Sequence, residues 1–293
     1  MQENATGLPL ADTGRAHRSA LLGAAMLCVL SMLFVQFGAA LSSPTMETYG
    51  TFSTTWLRLC WAAAVLALLV RPRLHRFSLS RWLAAGSLGL AMAVMTTCFF
   101  AAIQRIPLGL AIAIEFLGPL LVASLGIRSW RALIWPLLAL TGVLLLARNE
   151  EGWIGEPLGV LLAFGSAAGW AAYILMMKKV GRLFQGFEGL SVSLLAAALI
   201  ATPLGLWQSG GHPPLLQIAS CAGLALFVPL LPYGLEMVAL RRMPASSFGI
   251  LMSAEPAVGA LAGYVVLAQP MIPMQFVGTA LVVSASLGVL VLP

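Results

Sequence analysis

Ten apolar stretches, each close to the length that crosses a lipid bilayer, occupy most of this chain. A spanning helix needs about 20 predominantly apolar residues. We place the stretches near residues 20–41, 52–70, 82–102, 106–124, 131–147, 157–177, 187–206, 216–238, 244–267 and 272–291. Because lipid offers no hydrogen bonds to an exposed backbone, such spans must be helices. The sequence therefore predicts an all-α integral membrane protein with ten transmembrane helices.

Composition supports this class and excludes others. Hydrophobic residues make up 60% of the chain and charged residues only 9%, against roughly 25% charged residues in a soluble domain. The net charge of +6 resides in short connections and forms no extended basic patch. The lipid bilayer is therefore an expected partner and nucleic acid is not. The sequence contains no phosphate-binding Gly-Lys motif and no metal-ligand spacing, so we expect neither a cofactor nor a metal; the oligomeric state stays open.

The distribution of Lys and Arg predicts the orientation. With the N-terminus inside, thirteen of the 16 basic residues fall on the inner side, Arg105 and Arg148 fall outside, and Arg58 lies within a helix. An excess of this kind marks the cytoplasmic side. We therefore expect a multi-pass protein with both termini in the cytoplasm.

The two halves of the chain resemble each other. QRIPLGLAIAIEFLGP (104–119) aligns with RRMPASSFGILMSAEP (241–256), and later Gly142 aligns with Gly278. Five helices per half is an odd number, so the halves would cross the membrane in opposite directions. Inverted repeats of this kind are typical of alternating-access transporters, whose substrate site lies near the midplane.

The repeat divides the chain into four parts. We expect a disordered cytoplasmic tail over 1–18, a first five-helix repeat over 19–147, a periplasmic linker over 148–156 and a second five-helix repeat over 157–293.

Two carboxylates near the middle of predicted helices are the first candidates for a site. Glu115 precedes Pro119 by one turn, and Glu255 directly precedes Pro256. A carboxylate at that depth costs about 2.5–3.5 kcal/mol on insertion scales. Each proline removes a backbone donor, so both helices should bend or open there. Either these residues line the pathway, titrate or hold a substrate ammonium, or they are protonated side chains that join helices.

Five further residues are weaker candidates for substrate or proton binding. Glu236 could belong to the site or pair with Arg241 or Arg242 at the interface, and Tyr233 lies one turn from it. Arg58 could reach outward to water or face inward and bind a carboxylate. Trp170 and Tyr173, one turn apart, could line the cavity or pack in the core or against lipid.

Three stretches carry a resemblance to a known family: IPLGLAIAIEFLGPL (106–120), LPYGLEMVALRRMP (231–244) and FGILMSAEPAVGALAGYVVL (248–267). With them the chain resembles the drug/metabolite transporter superfamily, in its ten-helix EamA-type branch, over about residues 20–291. One departure is Ala268-Gln269, where members often have a Gly-Glu pair. The resemblance implies a protein of the bacterial inner membrane that exports small metabolites by proton antiport, with amino acids such as threonine and homoserine favoured.

Two alternatives to amino-acid export remain at this stage. One is a drug or other metabolite efflux carrier of the same superfamily, which an aromatic cavity around Trp170 and Tyr173 would favour. The other is an intramembrane enzyme or receptor. The sequence offers no catalytic set and no sensor domain, so we predict that the protein is not an enzyme.

Overall fold

The computed structural model describes residues 10–124, 134–149, 152–153, 155–243, 248, 252, 255–268 and 271–291. Its helices are α1 (Leu10–Tyr49), α2 (Thr51–Val70), α3 (Leu79–Ile103), α4 (Leu108–Glu115), α5 (Leu117–Ser124), α6 (Ile134–Leu146), α7 (Pro157–Leu183), α8 (Glu188–Gln208), α9 (Leu215–Ala225), α10 (Leu231–Arg242), α11 (Glu255–Val266) and α12 (Pro273–Val291). A short 3-10 turn, Leu74–Arg76, joins α2 to α3. The all-α prediction is confirmed, apart from a two-residue antiparallel pair, Arg148–Asn149 with Gly152–Trp153.

Six of the spans in the described part of the chain are long and apolar enough to cross a membrane. They are Leu22–Tyr49, Thr51–Val70, Leu79–Ile103, Pro157–Leu183, Glu188–Gln208 and Leu215–Arg242. Four shorter apolar helices accompany them. Large side chains point outward along these spans, such as Leu68 at 73% and Trp207 at 75% exposure. Because lipid tails solvate apolar surface, an outside of this kind is typical of an integral membrane protein.

The first helix departs from the prediction at both ends. It runs for 40 residues, where we expected a disordered tail to residue 18 and a span over 20–41. No proline interrupts the sequence between Leu10 and Pro44, so nothing stops the helix before the predicted span. The expectation of disorder is wrong from Leu10 onward, and residues 1–9 lie outside the described residues. The helix ends where Gly50, with φ +91°, turns the chain directly into α2 in a conformation that glycine adopts freely.

Two predicted spans are broken where the sequence places proline. The span over 106–124 is divided into α4 and α5 at Phe116, three residues before Pro119. The span over 216–238 is divided by a wide turn, Leu226–Leu230, in which Val228 leaves the helical region and Pro229 follows it. The predicted distortion at Pro119 is therefore confirmed, and the turn at Pro229 is a second break of the same kind. At Pro256 the preceding residues 253–254 and the repeat proline Pro244 lie outside the described residues.

The helices pack in pairs around a central cavity. Helix α3 lies against α7 and α8, α2 against α8, α1 against α10, and α6 against α12. Helix α4 contacts α7 and α11, while α11 also contacts α1. These last contacts bring α1, α4, α7, α10 and α11 around a common space, and that space contains the candidate site.

Candidate functional site

Three carboxylates from three helices face one closed cavity. Glu115, Glu236 and Glu255 line it and are only 8%, 7% and 5% exposed. The remaining wall is largely aromatic and aliphatic: Val35, Met95, Thr96, Phe99, Phe100, Trp170, Tyr173, Val228, Pro232 and Tyr233. We call this space the acidic cavity. Its volume of about 50 Å³ is far below the roughly 300–1,000 Å³ of small-molecule sites, so this conformation is closed around a few water-sized positions.

Glu115 is the last residue of α4, directly before the break at Phe116. Its backbone carbonyl would normally accept from the residue four positions on, but that residue is Pro119, which has no N–H. The carboxylate itself contacts the neighbouring helix α7: Ser166 Oγ lies 2.5 Å from Glu115 Oε1. The same Ser166 Oγ lies 2.9 Å from the Met95 carbonyl oxygen. One hydroxyl thus joins α3, α4 and α7 at the carboxylate.

Glu236 is held by two hydroxyl donors within the core. Ser31 Oγ donates to Glu236 Oε1 at 2.8 Å, and Tyr173 Oη donates to Glu236 Oε2 at 3.0 Å. The alternative of an ion pair with Arg241 or Arg242 is wrong, since neither arginine forms a salt bridge in the described part of the chain. Five or six residues along a helix turn a side chain by about 140° or 120° from Glu236, so the arginines face elsewhere.

Glu255 opens α11 and contacts the first helix. Gln36 Nε2 donates to Glu255 Oε1 at 2.9 Å. The second carboxylate oxygen of Glu255, Oε2, and the amide oxygen of Gln36, Oε1, are buried and have no hydrogen-bond partner among the described residues. Two buried acceptors left unpaired cost free energy unless a proton, water or ligand donor reaches them. The pair is therefore incomplete in this conformation.

The aromatic candidates from the sequence form one side of the cavity. Tyr173 and Tyr233 pack with ring centroids 5.3 Å apart, and Trp170 packs edge-on against Phe116 at 5.8 Å. Trp170 and Tyr173 are 7% and 0% exposed, so the lipid-facing alternative is wrong for both. These rings join α7 to α10 and to the break between α4 and α5.

Arg58 faces inward, and the alternative in which it reaches out to water is wrong. It is 1% exposed, its Nη1 donates to Ser42 Oγ at 2.7 Å, and its guanidinium lies 3.8 Å from the Phe100 ring centroid. Its Nε has no hydrogen-bond partner, and it forms no salt bridge among the described residues. Phe100 lines the acidic cavity, so the guanidinium lies directly behind one wall.

Sequence reasoning missed three polar residues of this site: Ser31, Gln36 and Ser166. All are buried and each binds one of the three carboxylates. The only signal was a polar side chain within an apolar span, which is strong for Gln36 and weak for serine because serine is common in membrane helices. No group of three His, Cys, Asp or Glu in the described chain is arranged to hold a metal ion.

A central cavity that three carboxylates line, within a bundle of apolar spans, defines a multi-pass membrane transporter. Comparison with known proteins agrees. Residues 157–291 match the EamA-like transporter family. The chain is 33% identical over 267 residues to the threonine/homoserine exporter RhtA of Escherichia coli K12, covering 90% of each chain, and 34% identical to RhtA of Salmonella typhimurium LT2 with the same coverage. It therefore belongs to the EamA-like transporter family of the drug/metabolite transporter superfamily, and its relatives are transporters rather than enzymes.

Two further similarities are weaker. An uncharacterized transporter, YwfM of Bacillus subtilis, is 28% identical over 272 residues, which are 85% of this chain and 86% of that protein. A protein of known crystal structure superimposes with a TM-score of 0.64 at 18% identity and covers 91% of this chain and 95% of its own. At that identity the superposition supports the fold alone.

Proposed function

We propose that this protein exports small amino acids across the bacterial inner membrane by proton antiport, with threonine and homoserine as the favoured substrates. One observation carries the proposal: Glu115, Glu236 and Glu255 converge on a single closed cavity. The names of the Escherichia coli and Salmonella relatives, threonine/homoserine exporters, support the choice of substrate.

Glu115 would exchange a proton for the substrate ammonium. Ser166 has one hydroxyl hydrogen, yet both Glu115 Oε1 and the Met95 carbonyl lie within hydrogen-bond distance of it. A proton on Glu115 would satisfy all three oxygens, because Glu115 could then donate to Ser166 while Ser166 donates to Met95. A bound ammonium would replace that proton, and competition for one site couples the two fluxes.

Glu255 and Glu236 would complete the cation-binding set. The oxygens of Glu255 and Gln36 that have no partner among the described residues offer two acceptors to a proton or to an ammonium. Glu236 already accepts from Ser31 and Tyr173, so it would hold its position while the substrate binds. Tyr233 and Trp170 would form the apolar wall beside the substrate side chain.

Arg58 would bind the substrate carboxylate. A buried guanidinium without a counter-ion is costly, and an arriving carboxylate would accept two hydrogen bonds from its planar fork. In this closed conformation Phe100 separates Arg58 from the acidic cavity. Carboxylate binding would therefore accompany a movement of the Phe100 ring and an expansion of the cavity.

For the architecture, we propose ten helices arranged as two inverted five-helix repeats, over 19–147 and 157–293 with a periplasmic linker between them, and both termini cytoplasmic. The packing supports a two-fold relation between the halves. The contact of α3 with α7 corresponds to that of α10 with α1, and α6 packs on its counterpart α12. At that last contact a Cβ on Gly142 would lie 2.6 Å from the Gly278 carbonyl oxygen, and a Cβ on Gly278 would lie 2.7 Å from that of Gly142.

The test is transport by purified protein in liposomes. Labelled threonine and homoserine are followed with and without an imposed pH gradient, for the wild type, Glu115→Gln and Glu47→Gln. Glu47 is an exposed carboxylate, so its variant controls for the same chemical change. We expect gradient-driven movement in the wild type and in Glu47→Gln, and none in Glu115→Gln. Normal gradient-driven movement by folded Glu115→Gln would contradict the coupling role.

A drug or other metabolite efflux carrier is the second candidate, and the aromatic wall of the cavity favours it. Phe99, Phe100, Trp170, Tyr173 and Tyr233 surround the three carboxylates, a combination that also suits lipophilic cations. Cells that overproduce the protein would then resist cationic drugs, and liposomes would move neither threonine nor homoserine. Resistance to external threonine or homoserine without drug resistance would support amino-acid export instead.

A further inference from the structure

A second cavity, about 400 Å³ in volume, lies between α7 and α10 beside the acidic cavity. Lys178, Arg182 and Arg241 line it, together with Ile174, Met177, Gly181, Met237, Leu240 and Met243. None of these described lining residues is acidic. We call this space the basic cavity. Its volume falls within the range of small-molecule sites, whereas the acidic cavity in the same conformation does not.

Helices α7 and α10 line both cavities, and on each helix the residues that line one cavity are one turn away from those that line the other. Tyr173 lines the acidic cavity and Met177, four residues on, lines the basic one. On α10, Tyr233 and Met237 are related in the same way. All four side chains are nearly inaccessible, at 0%, 2%, 5% and 2% exposure respectively. They therefore form a thin buried layer between the larger basic cavity and the smaller acidic one.

In the part of the chain that the structure describes, no acidic side chain pairs with the cations of the basic cavity. Instead, Arg241 Nη2 donates to the Gly186 carbonyl and Arg182 Nε to the Lys178 carbonyl at 3.4 Å. A cleft with charges of one sign concentrates ligands of the opposite sign and raises their association rate. An anionic group is thus the ligand that this space attracts.

We propose that the basic cavity is the entrance site of the transporter, where Lys178, Arg182 and Arg241 capture the substrate's carboxylate before the Tyr173–Tyr233 and Met177–Met237 layer opens to the acidic cavity. This inference rests on the proposed function for the identity of the substrate. It adds a first carboxylate site that precedes Arg58, on the side of the membrane that the positive charges mark as cytoplasmic.

The first experiment measures the electrostatics of the cavity without relying on transport. Gly181 lines the cavity, and a Cβ there would meet no atom within 4 Å, so Gly181→Cys introduces a thiol without a clash. Its reaction rates with an anionic and a cationic methanethiosulfonate reagent are compared by mass spectrometry of the modified peptide. The control is His212→Cys, in the exposed loop that follows the far end of α8.

We expect the anionic-to-cationic rate ratio at position 181 to exceed that at position 212 on the order of tenfold. The excess should disappear when Arg182→Gln and Arg241→Gln are added, and persist with Lys179→Gln, an exposed neighbour outside the cavity. Equal ratios at the two positions would overturn the inference, whatever the fate of the proposed function.

The second experiment identifies the anion. L-Threonine, but not L-threoninamide, should slow modification of the cysteine at position 181. In a transport assay, Arg182→Gln together with Arg241→Gln should raise the apparent KM for substrate added on the side of the basic cavity and leave the maximal rate unchanged. Equal effects of the acid and the amide would overturn carboxylate capture. The excess of the anionic-to-cationic rate ratio at position 181 is also measured in two kinds of liposome. If it vanishes in phosphatidylglycerol liposomes but not in phosphatidylcholine liposomes, the cavity binds a lipid headgroup instead. If threonine protects position 181 but Glu115→Gln still couples transport, the entrance site stands and the coupling scheme fails.

Discussion

The acidic cavity and the glycine contacts join helices of similar apolar composition in two different ways. Around the cavity, polar side chains of α1, α7, α10 and α11 link these helices by hydrogen bonds. At the contacts of α3 with α7 and α8, the absence of side chains lets backbones touch: a Cβ on Gly89 would lie 2.6 Å from the Ser193 carbonyl oxygen, and one on Gly169 would lie 2.8 Å from the Met95 nitrogen. The difference predicts that the glycine contacts matter most for stability, and that the polar side chains around the cavity matter most for transport.

The glycine contacts should show the largest effect on folding. Gly89→Leu forces a side chain into the backbone of α8, and overpacking of this kind costs about 1–3 kcal/mol or more. We expect a marked loss of folded protein in the membrane, measured by fluorescence-detected size exclusion. Gly86→Leu, one turn away on α3, is the control, because a Cβ there meets nothing within 4 Å. Equal yields of folded Gly89→Leu and Gly86→Leu would show that the glycine contacts do not carry the stability assigned to them.

Among the hydrogen bonds that hold the carboxylates of the acidic cavity, the Gln36–Glu255 pair should show the largest effect. Gln36→Leu removes the donor to Glu255 Oε1 and leaves a buried carboxylate oxygen unpaired, at a cost of about 1–3 kcal/mol. We expect a lower rate of gradient-driven transport and a smaller loss of folded protein than Gly89→Leu causes. Gln185→Leu makes the same chemical change at an exposed position and should leave transport unchanged. A Gln36→Leu protein with wild-type transport would mean that this pair is structural.

Tyr173→Phe should have a smaller effect than loss of Gln36. The change removes one of the two hydroxyls that donate to Glu236 but keeps the ring pair with Tyr233. A hydrogen bond of this kind contributes about 0.5–1.5 kcal/mol, or more if the carboxylate is charged. We expect a modest fall in thermal stability and slower transport, with exposed Tyr264→Phe as the control. If Tyr173→Phe lowers thermal stability but leaves the transport rate unchanged, the Tyr173–Glu236 hydrogen bond is structural, as the glycine contacts are.

The surface ion pair should show the smallest effect of all. Arg105 Nη1 lies 3.4 Å from Glu156 Oε1, and the side chains are 41% and 45% exposed. Exposed pairs contribute about 0–1 kcal/mol, so Arg105→Gln should leave stability and transport close to wild type in the same assays. A large loss in this variant would show that charge outside the two regions also matters.

Some of the site was predictable because its signals are local. Glu115 and Glu255 stand out in apolar spans, and the absence of an N–H at Pro119 predicts the break beside Glu115 without any knowledge of neighbours. The burial of Arg58 and the partners of Glu236 were not predictable in the same way. Helices that are apolar all round give no periodic signal that tells the core-facing side from the lipid-facing side.

The sequence by itself determined that the chain is an all-helical membrane protein and that a helix breaks beside Pro119, since both depend on apolar length or on the covalent chemistry of a few consecutive residues. It did not determine every helix boundary, because α1 begins earlier than predicted and Pro44 and Pro203 lie within continuous helices. Only the tertiary structure decided which polar groups meet. Gln36 contacts Glu255 across 219 positions and Ser31 contacts Glu236 across 205. Such contacts arise from how helices cross and rotate, which is set by packing among residues far apart in the chain.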